Sequence, residues 1–227
     1  MNSFAAKLVQ NPVFSTLKSS DQAHLVQQSI FRNYEKDEWI VHYGDIWPYL
    51  FIVEEGTVTA LKESNEGRSL IVATINKGEI FWGLAFFEDE APMPVALVAS
   101  EASRIHLWSR DRLLPLLLEN GRMSWELSRH MVNRMQRASE IVEDLAFQHV
   151  TGRLARLLLE HFGEAVGEIV TRDMTLDEMA ARIGTTREMV CRQLYKFADD
   201  GTIQINHTEF MIADQKRLEK IAGKIKG

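Results

Sequence analysis

The segment from Thr175 to Gly201 constrains this chain more than any other part of it. Thr175-Leu-Asp-Glu178 and Thr185-Thr-Arg-Glu188 each match the Ser/Thr-x-x-Glu pattern in which a hydroxyl and a carboxylate cap a helix start reciprocally. Between them lies Gly184, a residue free to take the left-handed turn that ends a helix. The pattern therefore predicts a short helix, a tight turn and a second helix. On that second helix Val190, Leu194 and Phe197 recur at i, i+4 and i+7, which gives an inward apolar stripe. Arg187, Cys191 and Arg192 stand at i, i+4 and i+5 on another face, with Glu188 at its edge. A helix-turn-helix lays its second helix in the major groove. There, arginine can fork onto guanine and glutamate can accept from cytosine. Double-stranded DNA is the expected partner.

The formal net charge of −6 argues against a strongly basic nucleic-acid binder. Its distribution is more informative than its sum. Residues 147–227 hold 12 basic and 12 acidic residues, so the whole deficit lies before them. A neutral reader joined to an acidic domain still permits binding through a local basic face. The single cysteine, Cys191, excludes an intramolecular disulfide and an iron–sulfur or four-cysteine zinc site within one chain. No apolar run approaches the ~20 residues that span a bilayer, and no secretory leader is recognisable, so no membrane role and a cytoplasmic setting are expected. Neither His-Glu-x-x-His, Gly-x-Ser-x-Gly nor a phosphate-cradling glycine loop occurs, and the chain reads as a non-enzyme with no metal site and no catalytic residues.

Three segments follow. Residues 1–109 contain short apolar strands such as Tyr49-Leu-Phe-Ile-Val53 and Ser69-Leu-Ile-Val-Ala-Thr-Ile75, punctuated by Gly44, Gly56, Gly67 and Gly78 at intervals of 12, 11 and 11 residues. That spacing predicts an antiparallel sandwich or barrel, with Glu66-Gly67 as a hairpin turn. Residues 110–146 read as helical. Met123, Leu127, Met131, Arg134, Ala138, Val142 and Leu145 form a stripe fit for a two-stranded coiled coil or for packing on the helix's own domain. A homodimer is expected, because palindromic DNA needs paired readers. Residues 147–227 form the reader. It comprises an amphipathic helix from Arg153 to Phe162, the helix-turn-helix, a two-stranded wing over Thr202–Ile212 turning at Asn206-His207, and a terminal helix carrying Leu218, Ile221 and Ile225. The fold class is α+β.

With those residues in view, the chain resembles the catabolite activator / fumarate-nitrate regulator (CRP/FNR) superfamily of bacterial transcription factors. Gly44-Asp45, Val53-Glu-Glu-Gly56 and Lys77-Gly-Glu79 are similar to its β-roll signatures, and Asp144-Leu-Ala-Phe-Gln-His-Val-Thr-Gly-Arg-Leu-Ala155 to the joint before its reader. The resemblance implies an N-terminal cyclic-nucleotide-binding-like β-roll, a long dimerisation helix and a C-terminal winged helix-turn-helix. It also implies that Arg187, Glu188 and Arg192 read a TGTGA-type half-site. Thr151, Thr186 and Cys191 complete the expected DNA face, the two threonines by phosphate contact. The loop Phe162–Glu168 is four residues shorter than the catabolite-activator pattern, which bears on RNA polymerase as a further partner.

One cassette departs from the family. Where the family places a ribose-binding glutamate, a phosphate-binding arginine and a serine, this chain has Gly83, Met93 and Pro94. A buried phosphate without its arginine is an uncompensated charge, and proline lacks an N–H donor. Ala138 stands where the family can use threonine, with Ser139 beside it. Cyclic AMP is not the expected effector. Phe81, Trp82, Leu84, Met93 and their neighbours form either a closed core or a pocket for an unidentified apolar small molecule. Haem is disfavoured, since none of His42, His106 and His130 falls within 79–98, and no cofactor is expected. Cys191 reads as a small groove-facing side chain or as a redox-active thiol. Two other readings remain: a ligand-binding β-roll whose winged helix meets a protein, and a cyclic-nucleotide regulator with an atypical pocket.

Overall fold

The computed structural model describes residues 3–206 and 209–223. The chain divides into two compact units, residues 1–62 with 72–138, and residues 63–71 with 139–227. The division falls inside the longest helix rather than at either of its ends.

The first unit opens with three short helices, α1 (Ser3–Gln10), α2 (Pro12–Ser15) and α3 (Ser19–Gln28). Eight strands follow: β1 (Ile30–Tyr34), β2 (Trp39–Val41), β3 (Tyr49–Glu55), β4 (Thr57–Glu63), β5 (Ser69–Asn76), β6 (Ile80–Trp82), β7 (Ala96–Ala99) and β8 (Ser103–Ser109). They form two four-stranded sheets, ordered β1-β8-β3-β6 and β2-β7-β4-β5. Phe51, Val53, Ile105 and Leu107 on one sheet and Val58, Ala60 and Leu97 on the other supply one apolar core. The opposite face of the first sheet, Leu50, Ile52, Ile80 and Trp108, packs on Phe4, Leu8, Phe14 and Leu25 of the opening helices. This alternation follows from the two-residue period of a strand. Trp108 is fully buried, and its indole N–H donates to the Leu25 carbonyl at 2.8 Å, so its one polar atom is satisfied.

The helical segment breaks into α4 (Arg110–Glu119) and α5 (Gly121–Phe147). Asn120 makes the break: its backbone N–H closes α4 on Leu116, and its side-chain oxygen accepts from Met123 N–H at 3.0 Å to start α5. The first half of the expected α5 stripe packs on its own unit, while Ala138, Val142 and Leu145 of its second half are exposed. Met123 and Leu127 are buried with Trp108 and Leu113, and Met131 joins their edge. A second stripe, Trp125, Val132, Met135 and Val142 at steps of seven, three and seven, is 65%, 47%, 66% and 65% exposed.

The second unit contains α6 (Val150–Phe162), β9 (Val170–Thr171), α7 (Leu176–Ile183), α8 (Arg187–Asp199), β10 (Ile203–Ile205), β11 (Glu209–Ile212) and α9 (Gln215–Ile221). The wing is three-stranded, ordered β10-β11-β9, because Val170 and Thr171 pair with Phe210 and Glu209. Leu154, Leu158, Met179, Ile183, Val190, Leu194, Phe197, Phe210 and Leu218 share one buried core. His207 of the expected wing turn and Ile225 of the terminal stripe lie outside the described residues. The architecture is α+β, with a β-sheet domain, a long helix and a winged helix-turn-helix.

Gly184 has φ +61°, and a Cβ there would stand 2.6 Å from Leu145 Cδ2. Gly184→Ala therefore combines left-handed strain with a clash. It should lower unfolding free energy by about 1–2 kcal/mol, read as a shifted urea midpoint with an unchanged m-value.

Candidate nucleic-acid interface

The turn between α7 and α8 is fixed by its caps. Thr175 Oγ1 accepts from Glu178 N–H at 3.1 Å, while a Glu178 carboxylate oxygen accepts from Thr175 N–H at 2.8 Å, the reciprocal box expected from the sequence. At the far end of α7 the N–H groups of Gly184 and Thr185 both bond back to the Ala180 carbonyl. The second expected box does not form as read. Thr185 is drawn into the turn, so Thr186 becomes the cap of α8 and its hydroxyl oxygen accepts from Met189 N–H at 3.3 Å. Glu188 then stands one position short of the box and is free of that role.

The exposed acid is engaged locally, at the start of its own helix. Its own backbone N–H and the Thr186 hydroxyl hold the Glu188 carboxyl below the usual carboxylate range. It is therefore an ionised acceptor throughout the neutral range. Arg187 reaches Asp177 at 3.4 Å, but both side chains are more than half exposed. Exposed pairs are worth at most about 1 kcal/mol, so Arg187 is easily released to another acceptor. Arg192 is exposed, and among the described residues it has no ion-pair partner. Cys191 is half-buried between them. Two guanidiniums and one carboxylate, those of Arg187, Arg192 and Glu188, thus point outward from α8.

Thr151 has a different setting from the one its position suggested. Its hydroxyl donates to Gln193 Oε1 at 2.9 Å, so it ties α6 to the reading helix. Gln193 went unnoticed in the sequence because nothing local marks its partner 42 residues away. Arg153 was equally unforeseen. Its Nε donates to the Ile183 carbonyl at 2.8 Å and its Nη1 to the Gln148 carbonyl at 2.7 Å. Arg156 grips both Asp144 oxygens at 2.6 Å. These contacts orient α6 and the end of α7.

In the first unit the cassette residues do not converge on one cavity. Met93 is 1% exposed and shares the inter-sheet core with Phe81, while Trp82 packs toward Trp108 in the other core. Leu84 and Pro94 are exposed, and so are Ala138 and Ser139, which fall on opposite sides of the division between units. Gly83 is buried, and a Cβ built on it would stand 1.9 Å from the Trp47 carbonyl oxygen. The space a longer side chain would need is occupied by backbone. Two residues of α5, His130 and the stripe residue Arg134, lie against this region. His130 Nε2 meets the Ile80 carbonyl at 3.2 Å with its ring edge-on to Trp82, and burial lowers its pKa. Arg134 lies over the Phe81 ring, 5.4 Å from its centroid, with Glu79 at 3.9 Å, and burial likewise lowers its pKa.

Among the described residues no cluster of His, Cys, Asp or Glu could hold a metal ion. None of their helices is long and apolar enough to cross a membrane. Two family models match: a cyclic nucleotide-binding domain over residues 31–120 and a Crp-like helix-turn-helix domain over residues 152–221. The chain is 30% identical over 184 residues to the cAMP-activated global transcriptional regulator Vfr of Pseudomonas aeruginosa, covering 77% of this chain and 85% of that protein. It is 26% identical over 220 residues to the CRP-like cAMP-activated global transcriptional regulator of Mycobacterium tuberculosis, covering 95% and 98%. Among solved structures, the c-di-GMP responsive global regulator CLP of Xanthomonas campestris superposes with a TM-score of 0.76 at 22% identity, over 86% of this chain and 99% of that one.

Gly83→Ala tests the packing of the cassette. Forcing a methyl against a backbone carbonyl should cost about 1–3 kcal/mol of stability, measured by chemical denaturation. A neutral substitution would show that the Trp47 segment moves freely.

Proposed function

Since the chain belongs to the CRP/FNR family of DNA-binding transcription regulators, we propose that it acts as a homodimer on a TGTGA-type palindrome and takes its signal from something other than cyclic AMP. The observation that carries the DNA reading is the outward face of α8. Arg192 has the fork to take guanine O6 and N7, and Glu188, held ionised, accepts from cytosine N4. Arg187 exchanges a weak exposed partner for a base or a phosphate. Each good pair discriminates by roughly 1–3 kcal/mol, so three such side chains suffice for a specific half-site.

The second stripe of α5 supports the homodimer. Trp125, Val132, Met135 and Val142 follow the a and d positions of a heptad and stay exposed along a 27-residue helix. Two copies laid seam to seam would bury them, and would set two α8 helices for a two-fold palindrome.

Two observations support independence from cyclic AMP, although the relatives compared above carry cAMP-activated in their names. Position 93, where the family's phosphate-binding arginine falls, holds a methionine at 1% exposure in the core. Position 83, where its ribose-binding glutamate falls, has the Trp47 carbonyl in the way of any side chain. No residue of 79–98 is cationic; the guanidinium that lies against this region, Arg134 of α5, is stacked on Phe81 beside Glu79.

Arg192→Ala should abolish preference for the palindrome, at least tenfold in affinity, while sedimentation still reports a dimer; an unchanged preference for guanine at the paired base would overturn the assignment. Met135→Lys should shift the protein to monomer and weaken palindrome binding more than half-site binding, as sedimentation and a gel-shift series would show. Added cyclic AMP should leave DNA affinity within about twofold; a tenfold gain, equivalent to about 1.4 kcal/mol, would reverse the reading of Gly83 and Met93.

A further inference from the structure

The reading helix has one exposed aromatic that none of its sequence motifs explains. Tyr195 is 66% exposed, and it lines a groove of about 490 Å3 between α8 and β10. Arg187 and Arg172 also line that groove, and Leu176, Leu194 and Ile205 supply its apolar lining. We infer that this groove receives one sugar–phosphate strand of the bound duplex, with the Tyr195 hydroxyl donating to a phosphate oxygen. The inference rests on the DNA reading of the preceding subsection and adds a positioning residue to it.

Helical geometry places Tyr195 on the reading face. At about 100° per residue it lies about 80° round the axis from Arg187, between Cys191 and Glu188. Along the axis it is about 12 Å beyond Arg187. A major groove is only about 8.5 Å deep and 12 Å wide, so a helix that presents its N-terminal residues to bases brings Tyr195 to the groove's edge, where the phosphates run. The lining suits that strand. Deoxyribose has apolar faces to lie on Leu176 and Ile205, and Arg187 and Arg172 give the cationic wall a phosphate needs. A tyrosine hydroxyl is a neutral donor, so its contact adds affinity and register without reading sequence.

The test uses the full-length protein with the palindrome and with a scrambled duplex of equal length, across a salt series. Tyr195→Phe keeps the ring and removes only the donor. It should weaken both duplexes by the same factor, roughly 3- to 10-fold for one hydrogen bond. Its salt slope should match that of the wild type, because a neutral group displaces no counterion. A neutral methylphosphonate at a single phosphate flanking each half-site should weaken wild-type binding by a larger factor than it weakens Tyr195→Phe. Equal affinities of variant and wild type on both duplexes would overturn the proposal, and so would a change of preferred base. If the wild type showed no preference for the palindrome while Tyr195→Phe still weakened both duplexes, this contact would stand and the base-reading roles of Arg192 and Glu188 would fall.

Discussion

The reader depends on one guanidinium. Arg153 projects from the first turn of α6 and donates to the carbonyls of Ile183 and Gln148, with the Gly184 carbonyl at 3.5 Å from Nη2. The carbonyls at a helix C-terminus have no partner within their own helix. Left unpaired in a half-buried joint, each would cost about 1–3 kcal/mol. One planar fork satisfies the end of α7 and the end of the α5–α6 joint together. The same side chain therefore sets where α7 stops and how α6 lies on it. Lysine could offer only a point donor, so the geometry is specific to arginine. Burial lowers the Arg153 pKa, and the group keeps its charge because arginine starts so far above neutrality.

What Arg153 holds in place, Gly184 and Thr186 aim. The left-handed glycine turns the chain out of α7, and Thr186 opens α8 with its first residues, Arg187 and Glu188, facing outward. Packing then leaves no freedom about the axis, since Val190, Leu194 and Phe197 are all buried in the unit's core. The outward face is a by-product of the inward one. Thr151 and Gln193 add a polar tie from the first helix to the third.

Much of this was legible in the sequence, because it is local. Helix starts carry their caps within four residues, and the apolar stripe of α8 repeats with the helix period. The error of one residue at the second cap is instructive. Thr185 and Thr186 are adjacent, and only the return of Thr185 N–H to Ala180, a property of the turn, decides which of them caps. The α5 stripe was visible, but its period does not tell that Met123 and Leu127 are buried on their own unit while Val142 and Leu145 stay exposed. The break at Asn120 and the added strand β9 rest on single hydrogen-bonded residues and a two-residue pairing, too short to show a pattern. The opening helices carry no motif of their own, and Phe4, Leu8 and Phe14 become core only by packing with Trp108. In the cassette the sequence displays Gly83, Met93 and Pro94, but the approach of the Trp47 carbonyl to Gly83 joins residues 36 apart and leaves no local pattern.

That carbonyl makes position 83 intolerant of side chains. Any residue other than glycine meets main chain there. The Trp47 segment has to withdraw first, and Trp47 is held by rings of its own, Tyr49 and Phe51 at 5.6 and 5.7 Å. Packing of this kind makes one small residue the hinge on which a whole loop rests: the path of the Trp47 segment is available only while position 83 carries no side chain.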